Sequence, residues 1–123
     1  MPEELSWVEE LGVSVTVTDA SGTIIAMNAR SRETFAVEGG AALLGTSVFT
    51  CHPEPALTQV RRLYETQGPN HYTIRKRGRT KIIHQLPWHR DGVFAGFVEI
   101  SVPIPDELPH FDRDAAKQYE GKG

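Results

Sequence analysis

Cys51 and His52 stand next to each other and are the most reactive-looking pair in this chain of 123 residues. A thiolate activated by an imidazole needs both side chains within hydrogen-bond reach, with a third group orienting the base. Neighbours in sequence tend to point apart, so adjacency speaks against a dyad. The favoured reading is structural, with Cys51 a small buried filler and His52 capping a helix region. Contact with a ligand comes second and nucleophilic catalysis last. The five histidines are His52, His71, His84, His89 and His110. They form no i, i+4 helical pair and no Cys-x-x-Cys cluster, so no zinc site is expected, and surface or interface roles suit them better. Arg75, Lys76, Arg77, Arg79 and Lys81 crowd around one hairpin. A solvated turn is favoured there over a grip on phosphate, and no interleaved aromatics support nucleic-acid binding. His89-Arg90-Asp91 shares only its letters with a kinase catalytic triplet, in a hairpin turn of a chain too short for that fold. Gly39 to Gly45 lacks the Lys-Ser/Thr of a phosphate loop.

The elements that must position these residues belong to one domain-sized chain. An apolar share of 39% and a charged share of 24% fit a globular protein, and the net charge of −3 offers no basic field for nucleic acid or an anionic membrane. No apolar run approaches the roughly 18 residues of a membrane span. The start, Met-Pro-Glu-Glu, lacks the basic and apolar regions of a signal peptide. A single cysteine permits no intrachain disulfide and fits a reducing cytosol, so a cytoplasmic location is expected.

Residues 3–11 read as a short amphipathic helix with Leu5, Val8 and Leu11 on one stripe; Glu3 and Glu4 suit its start and Gly12 its end. Residues 13–19 alternate Val with Ser or Thr as a strand, and Asp19-Ala20-Ser21-Gly22 has turn chemistry. Residues 23–27 form the second strand, and Asn28 is placed to cap a helix over 29–37. Gly39-Gly40 breaks that helix before a single turn at 41–44. The longest helical pattern covers 53–67, with Leu57, Val60 and Tyr64 on one stripe. Three strands follow at 71–76, 80–86 and 93–102, the last two joined through Asp91-Gly92, a strong hairpin signal. The order is that of an α+β fold. The domain reading is an N-terminal helix over 1–12, a core domain over 13–105 and a polar tail over 106–123. The polar end at 115–123 shows no heptad leading to an output helix, which favours a whole protein over a fragment.

Three stretches together resemble a PAS domain: Val17-Thr18-Asp19-Ala20-Ser21-Gly22 running on to Asn28; Leu44-Gly45 followed by Val48-Phe49-Thr50-Cys51-His52-Pro53; and Gln85-Leu86-Pro87-Trp88 before Asp91-Gly92 and Gly96-Phe97-Val98. The resemblance implies a five-stranded antiparallel sheet cupping a cavity roofed by helices, with an N-terminal amphipathic helix. It also implies a bacterial, non-enzymatic sensor that binds a small molecule or cofactor and signals through a protein partner. A ligand-free dimerisation module is the alternative. Flavin photoreceptors of this family place a reactive cysteine where Val48 stands, so a flavin adduct is not expected. Haem-binding members carry an axial histidine in the long helix, which has none here. His52, just ahead of that helix, leaves haem open. Cys51-His52-Pro53 is also similar to the matching stretch of PAS domains fused to hemerythrin-like domains.

Carrying over the family's strand orientation turns Thr16, Thr18, Ile83, Gln85, Phe94 and Val98 toward the cavity, with Val60 and Tyr64 from the long helix and Cys51 and His52 at its mouth. That mostly apolar pocket with a few polar groups is the make-up of a small-molecule site. Val15, Val17, His84, Leu86 and Phe97 then face outward. A sheet apolar on both faces leaves a patch of several hundred Å² unless something covers it. Leu5, Val8 and Leu11 cover part, and a second copy of the chain is expected to cover the rest.

Overall fold

The computed structural model describes residues 5–114. A short helix α1 (Ser6–Glu9) precedes the hairpin of β1 (Ser14–Thr18) and β2 (Ile24–Met27). Helix α2 (Ala29–Thr34), a 3-10 turn (Gly40–Leu43), α3 (Val48–Cys51) and α4 (Ala56–Thr66) follow. The chain then closes with β3 (Asn70–Lys76), β4 (Arg79–Arg90) and β5 (Val93–Ile104). The strands form one antiparallel sheet in the order β2-β1-β5-β4-β3. This is the five-stranded α+β architecture expected, with helices over one face.

Several boundaries differ from the sequence reading. α1 is one turn where a helix over 3–11 is expected, and Glu3 and Glu4 lie outside the described residues. Its Val8 carbonyl is taken by the Asn28 side chain as well as by Leu11 N–H, so the last turn opens. α2 stops at Thr34 instead of Val37, because Gly40 N–H turns back onto the Phe35 carbonyl at 2.8 Å. α4 begins at Ala56 instead of Pro53. Pro53 and Pro55 have no N–H to give, while the Pro53 carbonyl accepts Leu57 N–H at 3.1 Å. β4 runs on through Pro87, Trp88 and His89 to Arg90, where the sequence suggests an end at Leu86. Pro87 sits beside a bulge at Trp88/His89, a place where the ladder tolerates proline. The hairpin turn itself is as read: Asp91 and Gly92 both have positive φ, at 52° and 80°.

The bulge resets the face of every later β5 residue, since an extra residue shifts a period of two by one. Phe94 and Phe97 therefore both lie against Tyr64 on the helix side, with ring centroids 6.3 and 4.9 Å away. This corrects two expectations. Phe97 is buried beneath α4 and is not an outward residue, while Val98 points away from the helices and is not a cavity residue.

At the bulge, Gly96 has φ 140°, and a Cβ there would meet the Thr18 carbonyl oxygen at 2.0 Å. Opposite it, the Trp88 indole donates to that same Thr18 oxygen at 2.9 Å. The contact is backbone on backbone, so no side chain can swing aside to relieve it. Gly96→Ala is expected to cost about 3 kcal/mol or more by denaturant unfolding. Gly12→Ala, where nothing lies within 4 Å, should stay within about 0.5 kcal/mol.

Candidate functional site

The helix-facing side of the sheet is floored largely by hydroxyls and amides. Among the described residues only Ile24, Met27, Ile83 and Phe97 are buried and hydrophobic, against the buried polar Ser14, Thr16, Thr18, Asn28, Ser31 and Ser101. Few large side chains rise from this floor to meet the helices, and the space between stays open. Two cavities result. One, of about 650 Å³, lies between the floor and the α2–α3 segment and is lined by Thr16, Ile24, Cys51, His52, Ile83 and Ser101 among others. The second, of about 570 Å³, lies under α4 and is lined by Val60, Leu63, Asn70, Tyr72 and Gln85. A small recess of about 60 Å³ beside Thr18 and Tyr64 connects with the same residues.

Two side chains, His52 and Glu99, line all three spaces. His52 follows α3, and its Nδ1 lies 2.6 Å from the Val48 carbonyl oxygen. A carbonyl only accepts, so Nδ1 carries the hydrogen, and in the neutral form of the ring the lone pair is on Nε2. Glu99 comes from the middle of β5, directly across from Thr16 on β1 and Gln85 on β4. Thr16 pairs with Ser31 at 2.6 Å, and Gln85 Oε1 accepts from Asn70 at 2.8 Å. Glu99 is the member of this row whose side chain has no hydrogen-bond partner among the described residues. Burial is the larger cause and pushes its carboxyl above the ordinary value of 4.5; a positive charge on His52 acts in the opposite direction.

The residues read from the sequence as cavity-lining fall into separate places. Thr16, Cys51, His52 and Ile83 meet at the larger space, and Val60 and Gln85 at the second. Thr18 and Tyr64 hold each other through their hydroxyls, and Tyr64 packs edge-on to Phe49, Phe94 and Phe97. Tyr64 thus fastens α4 to the sheet, and burial raises its phenol above 10.0. Cys51, the last residue of α3, is exposed and is not the buried filler expected. Glu99 escaped the sequence reading. Its signal was a lone acid inside the apolar run from Val93 to Ile104, read simply as strand.

Because the folded Glu99 has a raised pKa, its neutral form is favoured in the fold. That contribution is fully present below pH 4.5 and is lost as pH rises through the folded value. Glu99→Gln cannot ionise. Urea unfolding of both proteins should show the glutamine variant gaining on the parent as pH rises from 4.5 through the folded value and levelling off above it, and a pH-independent difference would contradict this.

The family model described as the PAS fold matches residues 8–107 of this chain. No curated protein matches the sequence. Among solved structures, a C-terminal domain from Streptococcus mutans is 16% identical, with a TM-score of 0.66 over 79% of each chain. The Aer2 receptor of Vibrio cholerae, described as a dual PAS–heme oxygen sensor, is 19% identical, with a TM-score of 0.60 over 80% of this chain and 99% of that one. A sensory box sensor histidine kinase, also from Vibrio cholerae, is 12% identical, with a TM-score of 0.61 over 82% and 88%. At such identities the likeness is one of fold.

Proposed function

This chain belongs to the PAS family, and from that premise we propose that it is a non-catalytic, cytoplasmic sensory module that takes a small organic molecule into the hollow of its sheet and signals through protein contacts. The observation that carries this reading is the open space of about 650 Å³ over a polar floor, within the usual range for small-molecule sites. A ligand-free interaction module would be expected to fill that space with its own side chains.

Haem fits this donor set poorly. His52 Nε2 is available, but the Glu99 carboxyl facing the same space has no hydrogen-bond partner among the described residues, and a porphyrin face has no donor to give it. α4 supplies no second histidine.

Signalling in this reading is a shift between two packings. No residue of α4 is buried, and Tyr64 is its main hold on the sheet. A ligand that prefers one seating of α4 changes its population by about 1.4 kcal/mol for each tenfold difference in affinity. On the other side of the sheet, Val17, Val98 and Leu86 form one row and Val15, Ile100 and His84 the next. These side chains are only half-buried, and we assign them to contact with a second copy of the chain, together with Leu5, Val8 and Leu11.

Protein purified from its native cells should release a small compound on extraction. Adding that compound at 100 times its Kd should stabilise the protein by about 2.7 kcal/mol. Cys51→Trp, which fills the cavity from an exposed position, should abolish the gain. If nothing is extracted and no metabolite shifts the melting curve, the ligand-free module replaces this reading. For the pairing, Ile100→Glu should convert dimers to monomers by light scattering, and an unchanged mass rejects this surface.

A further inference from the structure

The geometry points to a ligand of one chemical class: a compact, mostly apolar molecule that is neutral or cationic and presents an N–H or O–H donor to Glu99, with His52 Nε2 beside it as a second acceptor. The inference rests on the cavity being a ligand site and adds what that site selects.

It follows from which polar groups on the floor are already satisfied. Along the row across the sheet, Ser31 and Thr16 bond each other, and Asn70 bonds Gln85. Glu99, between Thr16 and Gln85, is left over. No buried side-chain nitrogen or oxygen among the described residues is sealed without a partner, so its oxygens open onto the cavity. A carboxyl withdrawn from water and lacking a donor is costly, and such groups concentrate where a ligand completes them. His52 is oriented to match: with Nδ1–H committed to Val48, the neutral form of the ring has its acceptor at Nε2. Around these two groups the walls are Val48, Val60, Leu63, Tyr72 and Ile83, which contribute surface for an apolar body.

An anionic ligand meets the opposite situation. Its charge would lie beside the Glu99 carboxyl; the cations lining these spaces, Arg62 at the second cavity and Lys76 and Lys81 at the larger, make no ion pair with Glu99 among the described residues. Lys76 and Lys81 do line the larger cavity, but Lys81 stands four residues along β4 from Gln85, about 13 Å at strand spacing. Glu38 lines that same cavity, so the lysines do not make it a clean anion site.

Three probes of one size separate these cases: benzylamine, benzamide and benzoate, titrated by calorimetry or ligand-observed NMR at pH 7 against the whole chain. Benzylamine and benzamide are expected to bind in about the millimolar range, and benzoate about tenfold more weakly or not at all. Glu99→Leu keeps the volume and removes the acceptor. It should weaken both donors by about tenfold, the loss of one hydrogen bond to a charged or acidic group, and narrow the gap to benzoate. Cys51→Trp should block all three. If the probes bind alike, ignore Glu99→Leu and are still blocked by Cys51→Trp, the donor rule falls while the cavity reading stands. If benzoate binds tightest, the donor rule also falls. If no probe binds the parent protein, both fall together.

Discussion

One buried amide, Asn28, joins the parts that enclose the hollow. Its Oδ1 accepts Val15 N–H at 2.9 Å and Ser31 N–H at 3.0 Å, and its Nδ2 donates to the carbonyls of Val8 and Val13, each at 2.9 Å. The side chain therefore caps α2, fixes the approach to β1 and holds the N-terminal segment. It is 1% exposed, so an unmade bond there would face no water to replace it. Asp has the acceptor without the donors, and Ser lacks the reach to serve both sides. Arg32 reinforces the joint with a two-pronged pair to Glu9 and a bond to the Met27 carbonyl. That pairing holds the Glu9 carboxyl below its ordinary range and raises the guanidinium.

With this corner fixed, the polarity of the sheet floor decides what the helices can do. An apolar floor would draw them down and close the space. Here β1 presents Ser14, Thr16 and Thr18, and β5 presents Glu99 and Ser101, so the hydrophobic drive to collapse is weak. The remaining apolar contact concentrates at one end, where Tyr64, Phe49, Phe94 and Phe97 interlock. A tight aromatic end and an open polar end give a hollow that stays open without depending on a long, rigid roof.

Much of this was legible in the residues. The Val-Ser/Thr alternation of β1, the Asp19 turn, the cap at Asn28 and the hairpin at Asp91-Gly92 each act through local chemistry, so they survive folding unchanged. What was not legible depended on register. Nothing local announces that β5 carries an extra residue, Ala95, opposite Trp88/His89, and that single insertion exchanges the faces of Phe97 and Val98. Glu99 was hidden for the same reason, since its meaning lies in which residues stand across from it. Tyr64 was read as a cavity residue from the family's orientation, and its hydroxyl contact with Thr18 marks it as a fastening.

The exchange at the bulge also ties the hollow to the outer surface. After it, Phe97, Glu99 and Ser101 face the helices, while Val98 and Ile100 face away. Glu99 is thus flanked along one strand by Val98 and Ile100, two half-buried residues of the outer apolar face. β5 is central in the sheet, bonded to β1 on one side and β4 on the other, so it moves only with them. A rearrangement that satisfies Glu99 must therefore act on the whole floor or on the roof, and the roof is the weaker partner because α4 is held mainly through Tyr64. In the proposed reading, the softest response to filling the hollow is a reseating of α4 with only small movement of the sheet. Any change at the outer face then follows from small shifts in β5, shared with both its neighbours, and not from bending of a single strand.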